Sequence, residues 1–171
     1  MGKIGVVLSG CGAKDGSEIH ESVITLLALD RAGVKVSILA PNTNQYHVVD
    51  HLSNNELQQS RNILSESARI ARGNILPIED INNSDLDALI FPGGTGMAKN
   101  IFNYAIKGSD FTIIKSVELL TQHMINNNKP LGAICIAPVM VSKALQNMGK
   151  SGKLTGLSLI HISEPTRLPG I

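Results

Sequence analysis

The stretch KPLGAICIAP, residues 129–138, decides how this chain folds. Pro130 ends whatever precedes it. Leu131 to Ile134 is short, apolar and uncharged, the pattern of a strand buried on both faces of a parallel sheet. From Ala137 to Met148 the spacing predicts a helix, with Val139, Met140, Leu145 and Met148 as its buried stripe and Pro138 tolerated in the first turn. Cys135 therefore stands where a strand turns into a helix. Free N–H groups and the positive end of the helix dipole favour a thiolate there, so its pKa is expected to fall from about 8.5 toward that of reactive cysteines. The plain alternative is a small buried hydrophobe, a common fate for a free cysteine.

The rest of the chain supplies a sheet for that strand to join. Lys3 to Leu8 reads as the first strand, and Ser9 to Gly12 as a turn. A helix opens at Asp15, runs to about Ala32 and is closed by Gly33; Asp15 with Glu18 three residues on fits a capping box. Ile19, Val23, Leu26 and Leu27 are spaced for its buried face. Val34 to Leu39 is the second strand, and the short connections imply parallel strands with a right-handed crossover. Pro41 to Asn55 is a polar, turn-rich surface excursion, whereas Asn54 to Arg72 has helical spacing. Ile75 to Ile78 is a short strand that Pro77 demotes to an edge, and Asp80 to Asp87 is loop. Ala88 to Phe91 is another buried strand leading into PGGTG, residues 92–96. Helical segments over 98–104 and 112–126 complete an α/β chain: a doubly wound, mostly parallel sheet with helices on both faces.

Composition narrows the function classes. The 171 residues suffice for one full core, and 43% hydrophobic with 17% charged residues is an ordinary globular balance. A net charge of +1 and only three Phe and two Tyr give no basis for nucleic acid or an anionic membrane as partner. The N-terminal apolar run is too short for a signal peptide, Val6 breaks the myristoylation pattern, and no run approaches the roughly 18 residues of a membrane span. Cys11 and Cys135 make neither a disulfide framework nor a zinc site by spacing, and a reducing cytoplasm suits such thiols. Gly10, Gly12 and Gly16 fit a dinucleotide fingerprint poorly, and Lys14 is not placed as a phosphate-binding lysine.

In a doubly wound sheet, ligands bind at the edge where the strand C-termini meet. Four loops arrive at that edge: Ser9 to Ser17, Pro41 onward, Pro92 to Gly96, and Cys135. Gly93 and Gly94 leave backbone N–H groups approachable, and with the N–H of Ile136 they could hold an oxyanion beside the sulfur. Their structural alternative is a tight turn needing positive φ. Glu18 and Glu21 lie on the first turn of the first helix, at the same edge. A carboxyl group there is ordinarily a solvated partner of the dipole; against a thiolate it is pushed toward its protonated form and can carry a proton.

Several segments together resemble the ElbB family. They are GCG at 10–12, DGSEIHE at 15–21, RNIL at 61–64, ESARIARG at 66–73, PGG at 92–94, AKN at 98–100 and KPLGAICIAP at 129–138. That family comprises glyoxalases associated with isoprenoid biosynthesis, within the PfpI-type, class I glutamine-amidotransferase-like superfamily. The resemblance implies a flavodoxin-like sandwich, Cys135 as nucleophile, and glutathione-independent conversion of glyoxal, or a similar small dicarbonyl, to a hydroxy acid without metal or organic cofactor. The superfamily pattern aligns the partner acid best with Glu21, with Glu18 as the fallback. Relatives commonly pair, so a homodimer is implied. Hydrolytic relatives carry a His beside the thiol, where this chain has Ile136. Two other classes stay open: a redox or carbonyl-stress sensor using Cys11 and Cys135, and an amidotransferase-like subunit serving a partner enzyme.

The resemblance ends near Gly156. Residues 157–171, beginning LSLIHISEPTR, look like a translated sequencing adapter, so the expected domain is 1–156, C-terminally truncated, followed by a non-native tail. His161 and Glu164 are accordingly left out of the site.

Overall fold

Val6, Val7 and Leu8 run through the middle of the sheet, none of them more than 2% exposed. In the computed structural model, which describes residues 2–152, they belong to or directly follow β1 (Lys3–Val7). Next come α1 (Ile19–Arg31), β2 (Lys35–Ala40), β3 (Val48–Val49), β4 (Glu56–Leu57), α2 (Ile63–Ala71), β5 (Leu76–Pro77) and β6 (Ala88–Phe91). The described chain closes with α3 (Met97–Asn100), α4 (Tyr104–Lys107), α5 (Lys115–Asn126), β7 (Leu131–Ala133) and α6 (Ala137–Asn147). Five strands form one parallel sheet in the order β5-β2-β1-β6-β7, and β3 pairs antiparallel with β4 outside it. This is the doubly wound α/β architecture that the alternation of segments predicts, and the flavodoxin-like fold that the family resemblance implies. The order reverses between β1 and β6, so the crevice lies over the loops that follow those strands. The expected tail from Leu157 to Ile171 and the domain limit at 156 lie outside the described residues.

Val7, Leu39, Leu89 and Phe91 share one sheet face, packed with Val117, Leu120 and Met124 of α5 and Met140 and Val141 of α6. Helices α1 and α2 pack against β2 and touch each other on the other side. The α6 stripe is shifted from the expected one: Ala137, Met140, Val141 and Ala144 are buried, while Val139 and Leu145 pack at the rim of the core. Pro77 sits on the outer strand, as its missing N–H requires.

Several boundaries differ from the sequence reading, each for a tertiary reason. The expected capping box at Asp15 does not form. The Asp15 carboxylate is turned inward, 4% exposed, to accept the N–H of Val49 at 2.8 Å, and Ser17 Oγ accepts the N–H of Ser9 at 2.8 Å. Both side chains pin loops together, and α1 starts three residues later, capped by Glu18. Its expected buried stripe also fails: Ile19, Val23 and Leu27 are each more than 40% exposed, and Ser22 is the residue of α1 that is fully covered. The helix expected over 54–72 is only Ile63–Ala71, capped by Asn62 Oδ1 on the N–H of Ser65 at 3.0 Å. Upstream, Glu56–Leu57 pairs with Val48–Val49, so the polar excursion carries a small hairpin of its own. The segment 98–104 splits into α3 and α4; one short 3-10 turn, Ile78–Asp80, leads into the loop expected over 80–87 and another, Asn83–Asp85, lies within it.

Candidate active site

Cys135 follows β7 after Ile134 and leads into α6 through Ile136. It is exposed, and its φ of +58° places it in the left-handed region that side-chain-bearing residues rarely adopt. Such strain at a strand-to-helix turn is where nucleophiles are held out toward a crevice. The geometry around it depends on Gly93, which follows β6 after Pro92. A Cβ built there would lie 2.6 Å from Cys135 Cβ, 2.8 Å from Ile134 O and 2.9 Å from Glu21 Oε2, so only glycine lets thiol and carboxyl come together. Gly94, with φ +110°, turns the loop away against the backbone of Gly16 and Glu18.

The expected site residues converge, but two of them in other roles. Glu21 Oε2 accepts the N–H of Gly93 at 2.7 Å, so that N–H is already engaged and is not free for an oxyanion. The N–H groups of Gly94 and Ile136 face the sulfur and favour its anion, which leaves those two as the donors. Glu18 does not reach the thiol. Its carboxylate caps α1, accepting the N–H of Glu21 at 2.7 Å and meeting His20 Nδ1 at 2.9 Å, and its own N–H donates to Gly93 O at 2.9 Å. Burial opposes the charge on Glu18, yet the Glu21 N–H and His20 together hold its carboxyl below the usual carboxylate range.

The thiol itself departs from the sequence expectation. Burial first, then the charge of Glu21, push the Cys135 thiol up rather than down, and the two N–H groups only partly offset them. A helix N-terminus alone does not ionise a sulfur that faces a carboxylate. Cys11, at the end of β1, is half-buried, and burial followed by the charge of Glu66 raises its thiol as well.

Asn100 is a site-building residue that the sequence reading passed over. It is 7% exposed; its amide Nδ2 donates to Ser9 O and Asp15 O, both at 2.8 Å, and its Oδ1 accepts the N–H of Tyr46 at 2.8 Å. Ser67 adds its Oγ as acceptor for the N–H of Gly10 at 2.9 Å. Together they fix the GCG loop and the 41–57 excursion at the sheet edge. Both lie in segments that carry the resemblance, AKN and ESARIARG, which was the available signal. Among the described residues no cluster of three or more His, Cys, Asp or Glu could hold a metal ion, and no helix is long and apolar enough to cross a membrane.

Known proteins share this arrangement over most of the chain. The human protein "Glutamine amidotransferase-like class 1 domain-containing protein 3, mitochondrial" is 44% identical over 147 residues, covering 85% of this chain and 55% of its own length. The zebrafish (Danio rerio) "ES1 protein, mitochondrial" is 36% identical over 150 residues, covering 85% of this chain and 56% of its own length. This chain thus spans about half the length of those relatives. A crystal structure from Ehrlichia chaffeensis, described as an isoprenoid biosynthesis protein with amidotransferase-like domain, superposes with a TM-score of 0.81 at 42% identity, covering 85% of this chain and 69% of that one. The model of the DJ-1/PfpI family matches residues 11–163. A sheet of this order, a strained cysteine at its edge and these matches make the chain a member of the DJ-1/PfpI family, with the class I glutamine amidotransferase-like fold.

Proposed function

We propose that the chain is an ElbB-type, glutathione-independent glyoxalase that converts glyoxal, or a comparably small dicarbonyl, to the hydroxy acid. One observation carries the reading: Cys135 and the Glu21 carboxyl stand on either side of Gly93, in contact through a position that admits no side chain.

The Cys135 sulfur adds to one aldehyde carbon. A C–S bond forms as the S–H proton passes to the Glu21 carboxylate, and the carbonyl electron pair moves to an oxygen that the N–H groups of Gly94 and Ile136 can hold and that Glu21 then protonates. Glu21 serves as the proton carrier. It takes the proton from the sulfur-bearing carbon, whose electrons form an enediol with the neighbouring carbonyl, and a proton is returned to the second carbon. The result is a thioester of the hydroxy acid: one carbon is oxidised, the other reduced, and no external electron acceptor enters. Water then cleaves the C–S bond, releasing the acid and restoring the thiol.

Hydrolytic amide chemistry fits less well. Among the described residues the groups that bear on the sulfur are Glu21, Gly94 and Ile136, with no imidazole among them. The test is direct: purified protein is mixed with glyoxal, without glutathione, and glycolate is followed. Turnover that disappears in Cys135→Ser supports the reading; equal turnover in that variant, or none in the parent protein, overturns it.

A further inference from the structure

Gly93, Glu18 and Glu21 are tied in a closed ring of hydrogen bonds. The N–H of Glu18 donates to Gly93 O at 2.9 Å, the N–H of Gly93 donates to Glu21 Oε2 at 2.7 Å, and the N–H of Glu21 donates to Glu18 Oε2 at 2.7 Å. The other oxygen of Glu18 meets His20 Nδ1 at 2.9 Å, and Ser22 Oγ donates to Glu18 O at 2.7 Å. Two carboxylates of like charge therefore lie one helical turn apart in different service: one faces the thiol, and the other holds the backbone of the first.

We infer that Glu18 is a positioning residue, whose capping carboxylate fixes the start of α1 and thereby sets the distance between the Glu21 carboxyl and Cys135. The inference rests on the proposed role of Glu21 as the proton carrier at Cys135. The first turn of a helix has unpaired N–H groups and frays unless something holds it. Core packing normally does part of that; α1 does rest on β2, but its first turn has little apolar surface buried. Ser22 is the fully covered residue of α1, whereas Ile19, Val23, Ile24 and Leu27 are 43–63% exposed. The placement of Glu21 therefore depends on the ring. Glu18 is also absent from the groups that bear directly on the sulfur, which are Glu21, Gly94 and Ile136. It acts through Glu21, and a misplacement of about 1 Å in a reacting group can cost on the order of 100-fold in rate.

The experiment measures the pH profile of Cys135 alkylation by iodoacetamide, in a Cys11→Ser background so that one thiol is read, alongside glycolate formation from glyoxal. Glu18→Ala is expected to shift the alkylation midpoint to lower pH, because a displaced Glu21 no longer opposes the thiolate. Turnover should fall by about 10- to 100-fold, mainly in kcat. Glu18→Asp, which keeps a capping oxygen, should restore both. In a Glu21→Gln background, Glu18→Ala should leave the midpoint where Glu21→Gln has already put it. An unchanged midpoint in Glu18→Ala, an equal shift in the Glu21→Gln background, or failure of Asp to restore the profile would each overturn the inference. Should Glu18→Ala fail to fold, Glu18→Met, which has the length of Glu but no capping oxygen, takes its place under the same criteria. Alkylation needs no turnover, so an absence of glyoxal activity in the parent protein would count against the proposed reaction while the thiol profile still decides the role of Glu18.

Discussion

Glu21 Oε2 rests on the N–H of Gly93 at 2.7 Å, and that one contact carries the carboxyl to the side of the loop where Cys135 lies. Glu21, after burial, raises the thiol by its charge, and in the reaction proposed above it is also the group that exchanges a proton with the substrate. Glu21→Gln separates the two effects. Alkylation of Cys135 near neutral pH should become faster, because the opposing charge is gone, while glycolate formation drops by about 100-fold or more for want of a proton carrier. Parallel alkylation and turnover assays check this, and a fall in both would contradict the assignment.

Gly93→Ala tests the packing of the same loop. The new methyl group would face Cys135 Cβ at 2.6 Å and Ile134 O at 2.8 Å, and neither is the end of a flexible side chain. Relief requires the β6 and β7 loops to separate. A loss of about 1–3 kcal/mol in urea unfolding is expected, together with loss of turnover.

The strain at Cys135 makes a comparison of two inactive variants informative. At a φ of +58°, Cys135→Ala keeps the unfavourable backbone, whereas Cys135→Gly removes it. Allowing for the greater freedom of glycine in the unfolded chain, Cys135→Gly should be the more stable by about 0.5–1 kcal/mol. Thermal unfolding of the pair reads the difference directly.

Asn100→Ala removes two donors and an acceptor that are buried between the GCG loop and the 41–57 excursion. A cost of about 3 kcal/mol is expected, since the partner groups on Ser9, Asp15 and Tyr46 lose their bonds. Asn100→Asp should not repair it, because a carboxylate cannot donate to two carbonyl oxygens. Denaturant midpoints, with hydrogen exchange over residues 41–57, measure both outcomes.

Stability should decline on both sides of neutrality. The Glu18 carboxyl is held below its unfolded value of about 4.3, so its contribution is present above that pH and is lost as pH falls through the folded value. The thiols of Cys11 and Cys135 are raised, so folding favours their protonated forms, and that contribution is lost as pH rises through the alkaline thiol range. A series of melting temperatures against pH shows the two limbs. Glu18→Gln should flatten the acid side, and Cys135→Ala part of the alkaline side.

The strands were legible where burial on both faces imposes an unbroken apolar run, as in Ala88 to Phe91 and Leu131 to Ile134. The turn carrying Cys135 could be placed from its own neighbours. The start of α1 could not, because Asp15 and Ser17 have the chemistry of caps, and only the distant Val49 and Ser9 reveal that they are used elsewhere. Two-residue strands such as Val48–Val49 leave no periodicity to read. The direction of the thiol shift was misread for a related reason: a helix terminus is visible in sequence, but the distance from a carboxylate to a sulfur is not. Choosing Glu21 over Glu18 drew on family resemblance, since both stand on the same turn.

The loop at Gly93 has no spare room, and it borders both reacting groups. A substitution there damages folding and chemistry in one stroke. Variants at this position should therefore vanish from a cell as misassembled chains rather than persist as intact but inert copies, which makes abundance a proxy for catalytic competence at this residue.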